Sequence, residues 1–344
     1  MNSPDTFRPS ALLVTGGAGF IGSTFVRTII DRGQHGDRCV VLDKLTYAGN
    51  LENLAGYEGR LTFVHGDIAD ADLVARTIEQ HGIDTIVHFA AESHVDRSIL
   101  GPLTFTQTNV VGTHVLVECA RAAGVRRFLH VSTDEVYGSL GAEGFFTEDT
   151  PLDPTSPYAA SKAASDLIVL ASARTFGFPA IVTRCSNNYG PFQFPEKLIP
   201  LMIMNALGDV PLPVYGDGRN VRDWIHTLDH TDALLAVLER GRPGEVYNIG
   251  GSNEWTNIDI VRRILAELGK PESLITHVTD RLAHDRRYAI DASKIRRELD
   301  WEPSMAFEEG LRATIDWYVA HPDWLAHVRS GAYMAYYEQQ YTRR

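Results

Sequence analysis

Short apolar runs alternate with stretches of helical periodicity through the first half of the chain. Ala11 to Thr15 (ALLVT) ends at glycines and predicts a buried strand. Ile21 to Asp31 has helical spacing, and Cys39 to Asp43 (CVVLD) predicts a second strand. Leu61 to His65 predicts a third strand and Ala71 to His81 a helix. Thr85 to Ala90 (TIVHFA) predicts a fourth strand, Phe105 to Ala123 one long helix, and Phe128 to Ser132 (FLHVS) a fifth strand. This alternation implies a parallel, doubly wound sheet, and continuous apolar strands suit a sheet covered on both faces.

A further helix is expected from Pro157 to Phe176, with Ser156 as its cap and Pro157 in its first turn. Ala180 to Arg184 reads as another strand. Then Pro191, Pro195, Pro200, Pro211 and Pro213 crowd together and predict loops that leave the sheet. Glu245 to Ile249 (EVYNI) predicts a strand that rejoins it. The rest, to Arg344, reads as mixed helix and loop. The polar start, Met1 to Ser10, reads as a frayed lead-in.

The turn after the first strand is Gly16-Gly17-Ala18-Gly19-Phe20-Ile21-Gly22. It follows a strand, opens a helix, and has an acid about twenty residues on, Asp43. Glycines let backbone approach a pyrophosphate, and the helix N-terminus supplies amide donors. Asp43 can accept hydrogen bonds from ribose hydroxyls and would repel a 2′-phosphate, so NAD is expected over NADP; Lys44 weakens that preference. Asp67, after the third strand, is placed either for the adenine amino group or as a helix cap. The fold expected is α/β: a Rossmann-like doubly wound parallel sheet over residues 1–189, rejoined by a segment around 220–250. A smaller mixed α/β substrate domain takes most of 190–344.

Composition narrows the partners. Thirty-two basic against 44 acidic residues leave a net charge of -12, which disfavours nucleic acid and anionic membranes. Cys39, Cys119 and Cys185 match no zinc spacing and no disulfide framework, so no metal is expected and reduced thiols in a cytoplasm fit best. His88 and His130, inside apolar strands, read as packed core residues.

Tyr158-Ala159-Ala160-Ser161-Lys162 puts a phenol and an ammonium on one helix face. A cation beside a phenol favours the phenolate, which makes tyrosine a useful base at neutral pH. Thr133, at a strand end, can hydrogen-bond the same substrate hydroxyl. Asp134-Glu135 adds two carboxyl groups, as an elimination requires: one acid and one base with unlike pKa values. Adjacent residues of a strand point to opposite faces, so both converge on one substrate only if the chain has left the strand.

The glycine turn with Thr133, Tyr158 and Lys162 resembles the extended short-chain dehydrogenase/reductase family. The stretches from Asp43 to Asn50, Ala90 to Ser98, Ser132 to Gly138, Asn187 to Pro191 and Pro195 to Pro200 are similar to the dTDP-glucose 4,6-dehydratases within it. The resemblance implies oxidation at C4, elimination of water across C5 and C6 with hydride return to C6, and a dTDP-4-keto-6-deoxyglucose product. It makes Asp134 the acid, Glu135 the base and Tyr158 the partner of the 4-hydroxyl, with Lys162 beside it. It implies a cofactor site of Gly16, Gly19, Phe20, Ile21, Gly22, Asp43, Lys44, Leu45, Thr46, Asp67, Ile68, Ala90, Ala91, Glu92, Thr108, Tyr158, Lys162 and Asn188. For the sugar nucleotide it implies His94, Thr133, Asn187, Lys197, Leu198, Pro213, Tyr215, Arg222, Asn257, Arg281, His284 and Tyr288. A homodimer through the Phe105–Ala123 and Pro157–Phe176 helices is implied too. Leu282-Ala283 stand where the family commonly carries Pro-Gly. Other enzymes on this fold keep the Thr, Tyr and Lys set, among them UDP-glucose dehydratases, 4-epimerases and decarboxylases. A non-catalytic NAD-binding regulator is a further alternative. The Asp134-Glu135 pair separates a dehydratase from the epimerases and decarboxylases, and a regulator would have little reason to keep Thr133, Asp134, Glu135, Tyr158 and Lys162 together.

Overall fold

A computed structural model describes residues 6–34, 36 and 38–329. The first five residues of the expected lead-in, and 330–344 of the expected substrate domain, lie outside the described residues. The strands run β1 (Ala11–Thr15), β2 (Arg38–Asp43), β3 (Thr62–His65), β4 (Thr85–His88), β5 (Arg127–Thr133) and β6 (Ala180–Cys185). They continue as β7 (Asn187–Tyr189), β8 (Leu212–Tyr215), β9 (Val221–His226), β10 (Val246–Ile249), β11 (Glu254–Thr256) and β12 (Ile275–Val278).

Seven strands form one sheet in the order β10-β6-β5-β4-β1-β2-β3, and every pairing in it is parallel. Alternate side chains feed opposite layers. Leu12 and Val14 join one core with Phe25, Ile29 and Leu234, while Leu13 joins another with Ile78, Leu116 and Val169. That is why these strands are apolar throughout. Chain order reverses between β1 and β4, which opens a crevice beyond their carboxyl ends.

The chain leaves this sheet after β6 and comes back as β10, with Val246 opposite Val182. Between and after these points it builds a second core, where Tyr189, Ile203, Trp224, Ile260 and Phe307 are fully or nearly fully buried. Two small sheets brace that core, β11-β9-β7 and β12-β8. They fit the mixed α/β substrate domain expected here, and correct only the loops read near Pro211 and Pro213 and the helix and loop read after Ile249. The strands were hidden because they are short and carry polar residues, as in Val221–His226 (VRDWIH).

Two other expectations need revision. Phe105–Ala123 is not one α-helix. Pro102–Phe105 is α, Thr106–Gly112 is a π-turn, and Thr113–Ala122 is α again. Pattern spacing does not distinguish a π-turn from the α-helix around it. The described part of the lead-in is anchored: Phe7 N–H donates to Glu239 O at 2.9 Å, and the Ser10 hydroxyl to Asp84 at 2.8 Å.

The first helix, Phe20–Asp31, lies against the glycine turn with little room to spare. A Cβ at Gly22 would sit 2.3 Å from Gly16 O, and one at Gly16 would sit 2.6 Å from Ala90 N. Both obstacles are backbone, which cannot rotate away. Gly22→Ala should therefore destabilise the fold by about 1–3 kcal/mol, as overpacking does. A chemical denaturation midpoint equal to that of the unaltered protein would refute the claim.

Candidate active site

The crevice is a single cavity lined by the ends of β1, β2, β4, β5 and β6 and their loops. Gly16, Gly19, Phe20, Ile21, Gly22, Asp43, Lys44, Thr46, Asp67, Ile68, Ala90, Ala91, Glu92, Thr108, Tyr158, Lys162 and Asn188 all border it. Leu45 does not: its side chain packs on the main core, and its N–H donates to Asp43 at 2.8 Å. Asp43 also accepts from Ala18 N–H at 2.9 Å. Burial raises this carboxyl, and the two amides work against that rise. A carboxylate has about four acceptor positions, so two amides leave capacity for a ribose.

Lys44 pairs with Asp67 at 2.7 Å, and Asp67 accepts from Ala69 N–H as well. Asp67 is not the cap of the next helix, a role taken by Asp70. Lys44 is thereby committed to a carboxylate instead of facing a phosphate alone. The glycine cradle, the uncapped N-terminus of the Phe20–Asp31 helix and the buried Asp43 fit a dinucleotide such as NAD.

The Thr133, Tyr158 and Lys162 set assembles beside this cradle. Ser156 caps its helix by accepting from Ala159 N–H at 3.1 Å, with Pro157 in the first turn. Thr133 hydrogen-bonds the Tyr158 phenol. Lys162 Nζ donates to Val131 O at 2.9 Å, and burial lowers its pKa to about 8. Tyr158 departs from the sequence expectation. Burial first, then Glu135 and Cys185, hold its phenol well above the ordinary range, with Thr133 offsetting in part. Lys162 is not among the largest influences on it.

Glu135 borders the cavity, and Asp134 beside it is buried outside the lining. β5 ends at Thr133, and Asp134–Tyr137 is a 3-10 turn capped by the Thr133 hydroxyl, which accepts from Glu135 N–H at 3.3 Å. The turn removes the strand alternation that would have separated the two carboxyls. Asp134 is buried, and its Oδ2 has no hydrogen-bond partner among the described residues. Burial and the neighbouring carboxylates Glu135 and Asp223 push it well above the usual carboxylate range. Glu135 is raised too, by burial, but Arg281, Lys197 and Arg222 oppose the rise. Burial raises both carboxyls; neighbouring carboxylates add to the rise at Asp134, and Arg281, Lys197 and Arg222 oppose it at Glu135.

Of the residues expected at the sugar nucleotide, Thr133, Asn187 and Lys197 line the cavity. The others lie outside its lining. Arg222 Nη2 donates to Asp285 O at 2.8 Å and its guanidinium stacks on Tyr288. Arg281 faces Asp96 at 3.6 Å, and Tyr215 donates to the same carboxylate at 2.9 Å. His284 pairs with Asp280 and meets the edge of Tyr215. Pro213 is buried in β8, Leu198 opens a helix of the second core, and Asn257 N–H donates to Asn220 O. The ring of His94 is committed within the protein: Nδ1 accepts from Asp96 N–H, and Nε2 lies 3.1 Å from Glu196 O.

Sequence reasoning missed Asn109. The π-turn carries it, its Oδ1 accepts from Glu92 N–H at 2.9 Å, and its Nδ2 donates to Ser161 at 2.8 Å. It ties the loop after β4 to the Tyr158 helix. A buried amide within an otherwise apolar helical face was the available signal. Gln193 and Glu196, which also border the cavity, were missed as well.

Residues 13–314 match the family model described as GDP-mannose 4,6 dehydratase. A dTDP-glucose 4,6-dehydratase of Xanthomonas campestris pv. campestris (strain B100) is 55% identical, with 93% of this chain and 96% of that protein covered. The dTDP-glucose 4,6-dehydratase of Streptomyces venezuelae, solved with NAD and TYD bound, superimposes with a TM-score of 0.90 at 54% identity. That match covers 92% of this chain and 99% of the other. A UDP-glucose 4-epimerase of Thermotoga maritima, solved with UDP-glucose, has a TM-score of 0.85 at 30% identity, covering 91% and 99%. The cradle, the Tyr158 helix and the acidic turn thus sit on a scaffold shared with these enzymes, and the chain belongs to the extended short-chain dehydrogenase/reductase family, among its 4,6-dehydratases.

Proposed function

We propose that the protein uses NAD to convert dTDP-glucose to dTDP-4-keto-6-deoxyglucose with loss of water. The observation that carries this reading is the Asp134–Tyr137 turn, which sets two carboxyls of unlike environment beside Tyr158. An epimerase has no elimination step that would use them. NAD, when bound, accepts hydride from C4 and returns it to C6. Tyr158 takes the proton of the 4-hydroxyl, and Thr133 orients the phenol and the hydroxyl. Glu135 takes the C5 proton, and Asp134 delivers a proton to the departing 6-hydroxyl. Lys197, Arg222 and Arg281 supply positive charge for the diphosphate despite the net charge of -12.

In this reading residues 1–189, with the returning β10, hold the cofactor, and most of 190–344 holds the sugar nucleotide. Of the described residues, no helix is long and apolar enough to cross a membrane, and work in the cytoplasm is part of the proposal. So is a homodimer. Leu103, Val111 and Leu167 are exposed by 82%, 41% and 57% on elements that pack together, and a second copy would cover them. Ala283 bears on the base. It adopts a φ of +49°, a left-handed conformation that glycine accepts and alanine resists. The Leu282-Ala283 loop therefore reaches its shape under strain beside His284.

Three measurements test these statements. Mass analysis should find loss of one water from dTDP-glucose without net cofactor reduction. Loss from UDP-glucose instead would assign a different base preference, and no loss from either would remove the dehydratase reading. Replacing Asp134→Asn and Glu135→Gln together should slow water loss by about 10²-fold or more. Reduced cofactor should still form on mixing with substrate, and normal dehydration by the double variant would refute the assigned roles. Leu103→Glu with Leu167→Glu should halve the mass seen by light scattering; an unchanged mass would place the interface elsewhere.

A further inference from the structure

We infer that Asp166, Arg184 and Tyr137 form a buried positioning chain coupling the Tyr158–Lys162 helix to the Asp134–Glu135 turn, an inference that rests on the dehydratase reading. Asp166 lies one helical turn beyond Lys162 and is fully buried. Its Oδ2 accepts from Arg184 Nε at 2.9 Å, and its Oδ1 lies 3.3 Å from His130 Nε2. Arg184, on β6, donates from Nη1 to the Tyr137 hydroxyl at 2.9 Å, with its guanidinium over the same ring. Tyr137 donates in turn to Asn248 Oδ1 on β10 at 2.7 Å. Tyr137 closes the very turn that Asp134 and Glu135 open. A helix and two strands are therefore joined to the acid–base turn by one run of hydrogen bonds, charge-assisted as far as Tyr137 and neutral from Tyr137 to Asn248.

None of these three residues borders the cavity, so they act through others. A buried arginine needs a partner, and Asp166 serves. The geometry gives the carboxylate a second duty. Lys162 is flanked by Asp166 and Tyr158 on its own helix, by His88 on β4, His130 on β5 and Cys185 on β6. Burial pulls the ammonium down, and Asp166 is the largest influence acting the other way. The two histidines are held neutral by burial and add no compensating charge. Losing the Asp166 charge leaves the Lys162 ammonium less favoured, so it should deprotonate at lower pH.

The test compares Asp166→Asn, Asp166→Glu and Tyr137→Phe with the unaltered protein. Two readouts are taken: the pH dependence of NAD binding, and the rate of water loss from dTDP-glucose relative to formation of reduced cofactor. In Asp166→Asn the alkaline fall in NAD affinity should move about one pH unit toward acid. Asp166→Glu should restore most of it. Tyr137→Phe should leave that fall in place yet slow water loss about tenfold relative to C4 oxidation. A merely structural role would lower the denaturation midpoint and move neither readout, which would overturn the inference. If Asp166→Asn does not fold, Tyr137→Phe decides: slowed water loss relative to C4 oxidation supports the inference, and a normal ratio overturns it. If the unaltered protein fails to dehydrate dTDP-glucose, the dehydratase reading falls, while the pH dependence of NAD binding still decides the part played by Asp166.

Discussion

The reversal of strand order between β1 and β4 is the constraint from which the site follows. Parallel strands end their carboxyl termini along one edge, and the loops that leave β1 and β4 must diverge there. The space between them is the cavity. Gly16 can pass Ala90 only because it lacks a Cβ, so the cradle and the loop after β4 are fixed against each other. β5 and β6 lie next in order, which brings Thr133 and Cys185 to the same edge. The helix from Pro157 to Phe176 packs against β5 and β6, so Tyr158 and Lys162 open onto the crevice instead of onto bulk water.

That edge is crowded with charge in a poorly hydrated place. The surrounding chain handles it in two ways. Asp43 is given backbone amides, Lys44 is given Asp67, and Arg97 is given Glu196 at 2.7 Å. These groups are paired and hold geometry. Asp134 is treated differently: one oxygen is left without a partner and two carboxylates stand nearby. Burial and those charges disfavour its ionised form and raise its pKa. Glu135, its neighbour, sees three cations instead. The same turn therefore separates two chemically similar residues by environment alone.

The doubly wound sheet was legible because buried parallel strands must be apolar throughout, as ALLVT and CVVLD are. The cofactor cradle was legible because its glycines answer a steric requirement that no other residue meets. The small sheets were not, since β9 carries Arg222 and Asp223 for contacts that only the tertiary fold explains. Nor was the π-turn at Thr106–Gly112, whose residues keep helical spacing while one extra residue per turn re-aims Asn109. The sugar-nucleotide residues came from resemblance, and most of them lie outside the cavity lining. Sequence spacing could not have grouped Asp96, Tyr215 and Arg281, which meet through three separate segments.

Tyr158 shows how far pairwise reasoning from a motif can reach. A lysine one turn away suggests a lowered phenol pKa, yet burial and the anions Glu135, Cys185 and Asp134 act in the opposite direction. The phenol and the Glu135 carboxyl oppose each other's ionisation, so their protons are coupled and neither group has an independent pKa. A proton arriving on Glu135 removes a charge that disfavours the Tyr158 phenolate. A proton arriving on Tyr158 removes in turn a charge that opposes ionisation of Glu135. In the proposed reaction Tyr158 gains the proton of the 4-hydroxyl before Glu135 acts, so a neutral phenol, and not a phenolate, stands beside the Glu135 carboxyl at the elimination step.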